Sequence, residues 1–170
     1  ELEKLPADAD PRQIEDRMKE ILQEASAVVR QEVLGGGTTA TVVKILENFG
    51  QRKAIIGHVG DSRGYLLQNG QLIQITVDDG HTKRMPEAEK KIIDEHLDNV
   101  LTAEDKIRLT EKERVLFEIR AQVTQALGGA SIKPNVYEVD LDEGDMLILV
   151  SDGVSDNLIP NEIRTIVVNN

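Results

Sequence analysis

The residues of this chain best placed to do chemistry are carboxylates that stand where apolar runs stop. The run Met146-Leu147-Ile148-Leu149-Val150 gives way at once to Ser151-Asp152-Gly153. A carboxylate at a strand end is held rigidly at the rim of a cleft, and a glycine after it leaves room for an ion. Asp152 is therefore a candidate hard oxygen ligand for Mg²⁺ or Mn²⁺. Ser-Asp-Gly is also ordinary turn chemistry, and on spacing alone a surface turn is the simpler reading. A second group, Asp61-Ser62-Arg63, gathers an acid, a hydroxyl and a cation. It lies between two apolar runs, and no histidine follows where it could activate the serine, so a supporting role outweighs a nucleophilic one. His58, His81 and His96 show no metal-ligand spacing.

Composition narrows the remaining classes. The chain has 170 residues, enough for one domain with a sizeable core. Aromatic residues make up only 2%, so aliphatic side chains must do the packing. A net charge of −11 opposes binding to phosphate backbones or anionic membrane surfaces. There is no cysteine, which removes disulfides, thiolate metal sites and a cysteine nucleophile together. No apolar run reaches the roughly 20 residues that span a bilayer. The acidic N-terminus does not resemble a signal peptide, so a cytoplasmic location is expected.

Several elements are needed to hold these carboxylates in place. Asp10 and Pro11 open a helix whose apolar positions run from Ile14 to Val29 and which fades near Gly35. Strands are predicted over 39–46 and 53–59. Two more, 65–67 and 72–75, flank the hairpin signal Asn69-Gly70. Helical character returns over 86–97. Thr110 and Glu113 form a capping box for a helix expected to run to Gly128-Gly129. Strands over 136–139 and 146–150 and a helix over 163–168 complete the order. Strands in runs favour an α+β fold over a doubly wound parallel sheet.

Four stretches then line up in order: Gly37-Thr38-Thr39-Ala40, Gly60-Asp61-Ser62-Arg63-Gly64-Tyr65, Ala126-Leu127-Gly128, and Gly144-Asp145 through Ser151-Asp152-Gly153-Val154-Ser155-Asp156. The set resembles the PP2C (PPM) family of metal-dependent protein serine/threonine phosphatases, with its G-[ST]-T-A, G-D-S-R-x-Y, A-L-G and G-D-x-[LI]-[LI]-[LI]-x-S-D-G-[LV]-x-D motifs. The resemblance implies an antiparallel β-sandwich flanked by helices. It also implies hydrolysis of phosphoserine and phosphothreonine in signalling proteins by a metal-activated water, with Mg²⁺ or Mn²⁺ as cofactor and a phosphorylated protein as substrate. It makes Asp152 a metal ligand. It places Asp78, in Thr76-Val77-Asp78-Asp79, near an accessory metal where the family carries T-x-D-H, although Asp79 replaces the usual His. Asp61 and Arg63 become loop supports, and Tyr65 a packing residue. Asp79-Gly80-His81 imitates the family's D-G-H metal motif but follows the G-D-S-R hairpin instead of preceding G-[ST]-T-A, so it reads as coincidence. The charged segment 82–125 corresponds to a helical flap beside the active site.

The family's early D-G-x-x-G and late D-N-x-[ST] motifs are not in these 170 residues. The resemblance implies that both, with the phosphate-binding arginine, lie beyond the two ends of the chain. The sandwich is then incomplete at both ends, with sheet edges to cover or pair. A single main ligand, Asp152, implies weak metal binding and little or no activity by this chain alone. The alternative is a catalytically degenerate PP2C-like module that binds phosphoproteins or a regulatory partner.

Overall fold

The computed structural model describes residues 10–48, 50–81, 85–95, 97, 103–120 and 122–169. Helix α1 (Pro11–Glu32) starts where Asp10 Oδ1 accepts the Arg12 N–H at 2.9 Å, with Pro11 in the first turn. Ile14, Met18 and Leu22 recur every four residues and are buried together, so one stripe of the helix faces the core. That stripe lies on β2 (Gln51–Val59), the middle strand of a three-stranded sheet ordered β1-β2-β5, with β1 at Ala40–Asn48 and β5 at Asn135–Leu141. Both pairings are antiparallel. The main core joins the helix stripe to Leu46, Ile55, Val59, Leu127 and Ile132.

A second sheet is ordered β4-β3-β6, with β3 at Arg63–Gln68, β4 at Gln71–Gln74 and β6 at Met146–Val150. The Asn69-Gly70 turn joins β3 to β4 as its sequence predicts. The strand runs of the sequence thus form an α+β fold, but not one continuous meander. The β2 edge that β3 could have taken is occupied by β5, and β3 takes β6 instead. Gly60 makes the break between them. Its φ of +112° suits glycine, and a Cβ there would run into the Thr39 side chain.

Between the two late strands and the early ones lie α2 (Glu87–Glu95), α3 (Ala103–Ile107) and α4 (Glu111–Arg120). They carry a small separate core of Ile93, Leu97, Leu109 and Leu116. The predicted capping box at α4 forms: Glu113 Oε2 accepts the Thr110 N–H at 2.7 Å, and Thr110 Oγ1 accepts the Glu113 N–H at 3.3 Å. The helix does not reach Gly128, however. Val123 bridges to Gly80 and Leu127 to Thr38, so tertiary partners claim the backbone groups that a continuing helix would need. Helix α3 and the one-turn helix α5 (Asp152–Ser155) are too short to show a period in the sequence. Helix α6 (Pro160–Val168) begins three residues earlier than its apolar pattern suggests. His96 lies outside the described residues. Among the described residues, no helix is long and apolar enough to cross a membrane.

Gly57 sets how closely α1 approaches the sheet, because a Cβ there would lie 2.5 Å from both Cγ and Sδ of Met18. Gly57→Ala should cost about 1–3 kcal/mol of stability through overpacking. Combined with Met18→Ala, which empties the same space, the loss should be smaller than the sum of the two single losses, as measured by urea unfolding of all three variants.

Candidate metal centre and the loops that carry it

Register brings the sequence motifs together. Arg63 at the start of β3 pairs with Val150 at the end of β6, so the Asp61-Ser62 turn lies beside Ser151-Asp152. Thr38 exchanges backbone bonds with Leu127, at 3.1 and 2.8 Å, which joins the Gly37-Thr38-Thr39-Ala40 stretch to Ala126-Leu127-Gly128. Thr39 Oγ1 and Ser62 Oγ share a hydrogen bond of 2.8 Å, and the Thr41 hydroxyl donates to the Ser62 carbonyl at 3.3 Å. Four stretches far apart in the chain therefore meet around one turn.

Acids converge on that turn. Partial burial pushes the Asp61 carboxyl above its ordinary value of 3.8, against the lowering effect of its own backbone hydrogen bond, and the negative charges of Asp152, Asp78 and Asp156 push it further. Asp152 itself is exposed at the first position of α5, and its Oδ1 accepts the Gly153 N–H at 2.8 Å. Asp156 follows one turn later, its N–H donating to the Asp152 carbonyl at 2.8 Å. The spacing S-D-G-V-S-D is thus the spacing of a single helical turn.

Asp78 sits differently from Asp152. Arg63 Nη2 donates to its Oδ2 at 2.8 Å, and Arg63 Nε reaches Oδ2 and Oδ1 at 3.1 and 3.2 Å. The pair is well shielded, with 14% and 19% of the two side chains exposed. Burial alone would lower the Arg63 pKa. The Asp78 carboxylate outweighs it, with help from Tyr65, and holds the guanidinium well above its ordinary value. The structure thus commits Asp78 to a forked ion pair that ties β3 to the loop after β4. Tyr65 is buried, 1% exposed, as a packing role requires.

The residue that sequence reasoning missed is Asp79, which is 2% exposed. Its Oδ2 accepts the Gly60 N–H at 3.1 Å and the Gln125 amide at 2.6 Å, and its Oδ1 accepts the Asn135 amide at 2.9 Å. Its backbone N–H donates to the Gly60 carbonyl at 2.7 Å, and its carbonyl accepts both the N–H and the hydroxyl of Thr124, at 2.6 and 2.7 Å. The Gly60 carbonyl also accepts from Nε2 of the fully buried His58 at 2.9 Å, while Nδ1 of that ring meets Thr41 Oγ1 at 3.0 Å. The T-x-D-D variant of the motif was visible in the sequence. Its partners, 19, 46 and 56 residues away, were not. His81, the third member of Asp79-Gly80-His81, is exposed, whereas Asp79 faces inward to these donors.

The arrangement concentrates negative charge at an exposed edge without closing a ligand set. Among the described residues, no group of three or more His, Cys, Asp or Glu side chains could hold a metal ion. The donor chemistry of Asp152 suits a hard divalent cation, but these residues do not by themselves fit a metal pair.

The antiparallel sheets, the flanking helices and the four convergent motifs define the class. The family model for Protein phosphatase 2C matches residues 2–170, and the chain belongs to that family. It is 33% identical over 132 residues to the serine/threonine protein phosphatase PstP of Mycobacterium tuberculosis, a match covering 78% of this chain and 21% of that protein. It is 31% identical over 134 residues to the protein phosphatase PhpP of Streptococcus pneumoniae, covering 78% of this chain and 46% of that one. The crystal structure of the PstP catalytic domain in complex with two manganese ions superposes with a TM-score of 0.60 at 28% identity, over 96% of this chain and 60% of that domain. The chain thus spans less than half the length of these two curated relatives.

Two consequences can be measured. Asp79→Ala leaves three buried or half-buried donors without their acceptor, so unfolding free energy should fall by about 3 kcal/mol or more in urea titration. Asp79→Asn, which keeps the shape but offers one acceptor oxygen, should lie between the two. The raised Asp61 pKa means that the folded state holds the proton more tightly than the unfolded state. Its stabilising contribution is complete below about pH 3.8 and is lost as pH rises through the folded pKa. Asp61→Asn should therefore melt higher than the parent at neutral pH, with the gap closing as pH falls to the acid range.

Proposed function

We propose that this chain is the part of a protein serine/threonine phosphatase that supplies Asp152 to a Mg²⁺ or Mn²⁺ centre, and that the phosphorylated side chain of a protein is its substrate. The observation that supports this most is the β3–β6 register, which sets the Asp61-Ser62 turn beside the exposed Asp152 at the end of β6. Two like charges held there repel one another, and a divalent cation relieves such repulsion. The manganese pair in the PstP catalytic domain and the family match point the same way. When bound, the metals would activate a water and stabilise charge on the phosphoryl oxygens.

The chain's own residues divide the remaining work. Asp152 reaches outward from the end of β6, where a short helix turn fixes its backbone. Asp78 keeps Arg63 in place under the Asp61 turn, and any accessory-metal role for Asp78 would require its release from that ion pair. Asp79 holds the Gly60 turn from beneath, so that Asp61 and Ser62 keep their place beside Asp152. The other main ligands come from outside the described residues. The helical segment 82–125 serves as the flap beside the site. A cytoplasmic location belongs to this proposal and rests on the character of the sequence.

The test is Asp152→Ala in the full-length protein, assayed on a phosphothreonine peptide with Mn²⁺. kcat/KM should fall about 100-fold or more, because metal stabilisation of the phosphoryl oxygens supplies several kcal/mol. Asp156→Ala should cost far less. Undiminished turnover by Asp152→Ala, together with unchanged Mn²⁺ binding in calorimetry, would remove Asp152 from the centre.

A further inference from the structure

His58 is a fully buried titratable side chain that the metal-centre reading does not use. Its ring stands between two groups on which the Asp61-Ser62 turn depends. Nε2 lies 2.9 Å from the Gly60 carbonyl, and Nδ1 lies 3.0 Å from Oγ1 of Thr41, the residue opposite His58 on β1. That same hydroxyl oxygen is 3.3 Å from the Ser62 carbonyl, in the turn beside Asp152.

The number of hydrogens settles which group donates. A carbonyl only accepts, so the ring nitrogen facing Gly60 carries a hydrogen whatever the charge of the ring. The Gly60 carbonyl is fixed from another side as well, because it accepts the Asp79 N–H at 2.7 Å. The variable proton is therefore the one on Nδ1. Thr41 has a single hydroxyl hydrogen, and when Nδ1 is bare two acceptors compete for it. The ring nitrogen is the nearer of the two, so with a neutral ring the hydrogen goes there and the Ser62 carbonyl loses that donor. When Nδ1 is protonated the ring donates, Thr41 Oγ1 accepts, and the hydroxyl hydrogen turns to Ser62. Both contacts of Thr41 are satisfied together in this second state alone.

The surroundings suit such an exchange. The Asp79 carboxylate, which accepts the Gly60 N–H at 3.1 Å, is a buried counter-charge for an imidazolium. From β5, Asn135 stands opposite His58 and donates to Asp79 Oδ1, and the Tyr137 ring is tilted against the imidazole with centroids 6.5 Å apart. The Tyr137 phenol oxygen accepts the Val77 N–H at 3.1 Å. The turn adds the Asp61 carboxyl, and β3 adds Arg63, whose charge is offset by Asp78.

We propose that His58 is a positioning residue. A proton on its Nδ1 turns the Thr41 hydrogen to the Ser62 carbonyl and fixes the Asp61-Ser62 turn beside Asp152, and loss of that proton releases the carbonyl. The relay stands on the hydrogen bonds, whereas its bearing on metal-assisted hydrolysis rests on the phosphatase reading. The turn keeps a second tie, the 2.8 Å bond between the Thr39 and Ser62 hydroxyls, so release loosens it without undoing it. The expected effect is a graded one on rate, not a loss of fold.

The experiment uses the full-length protein with Mg²⁺, which is diamagnetic, and with ¹⁵N-histidine and ¹³C-carbonyl serine labels. Two-bond ¹H–¹⁵N spectra report the ring state of His58, assigned by its disappearance in His58→Gln. From about pH 5 to about pH 9 the ring should pass from doubly protonated to the Nε2–H tautomer. The Ser62 carbonyl shift should follow with the same midpoint, a measurement that needs no variant. Thr41→Val removes the hydroxyl and should uncouple the Ser62 shift from the ring, while Thr41→Ser should restore the coupling. Turnover of p-nitrophenyl phosphate is then measured across the same range. The ratio of parent kcat to that of Thr41→Val should be about fivefold below the midpoint and fall to about one above it, with KM alike, as one hydrogen bond gained or lost would produce. Taking the ratio cancels ionisations that both proteins share, and a merely structural role for Thr41 would leave it flat. Thr41→Ser should track the parent. A ring that keeps one state throughout, or a Ser62 carbonyl that does not follow it, overturns the relay. Coupled titration with a flat kcat ratio overturns its bearing on the reaction. Should the parent hydrolyse no phosphate ester while Ser62 still follows the ring through Thr41, the phosphatase reading fails and the relay stands.

Discussion

Asp79 places a carboxylate out of water, where it is tolerated only if donors surround it, and the donors come from three separate parts of the chain. Gly60 belongs to the turn between the two sheets, Gln125 to the segment that returns from the helices, and Asn135 to the start of β5. Each of these backbone regions is irregular or terminal and has few ladder partners of its own. The carboxylate supplies what a strand or helix would otherwise supply: fixed acceptors at fixed positions. The turn carrying Asp61 and Ser62, the exit of the helical segment and the edge of the first sheet are all set with respect to this one group. Because it is buried, the same low-dielectric surroundings that make it costly also make its hydrogen bonds directional and hard to exchange for water.

A second layer rests on that frame. The Arg63–Asp78 fork joins the start of β3 to the residue before Asp79, so the guanidinium is held by the same loop that holds Gly60. Pairing of β3 with β6 then carries the geometry to Val150 and, two residues on, to Asp152. The acidic edge is therefore not a patch of loose surface carboxylates. Asp61, Asp152 and Asp156 are each attached to backbone that a strand end, a turn or a helical turn has fixed. Their mutual repulsion is sustained by the packing beneath them.

The helical segment obeys a different rule. Among the described residues it has its own small core, separate from that under α1, and Gly80 bridges Val123 where it departs from the sheets and returns. A unit that packs on its own core can vary in surface without disturbing the sheets beneath the edge near Asp152.

What the sequence by itself determined was everything encoded by local period and turn chemistry. Helix α1 followed from its cap and apolar stripe, the β3–β4 hairpin from Asn69-Gly70, and the α4 start from Thr110 and Glu113. The four motifs made family membership legible, and with it Asp152 as the residue to watch. Tertiary structure alone decided which strand edges met, because β5 and β6 compete for edges that no local pattern labels. It ended α4 at Arg120, where bridges to Gly80 and Thr38 took over the backbone groups of a segment whose apolar spacing still read as helix. It gave Asp78 to Arg63 and turned Asp79, a departure from the motif, into the hub of the loops. A short-range pattern records which residues neighbour one another along the chain. The worth of a buried carboxylate depends on donors up to 56 residues distant, and these are assembled only when the sheets form.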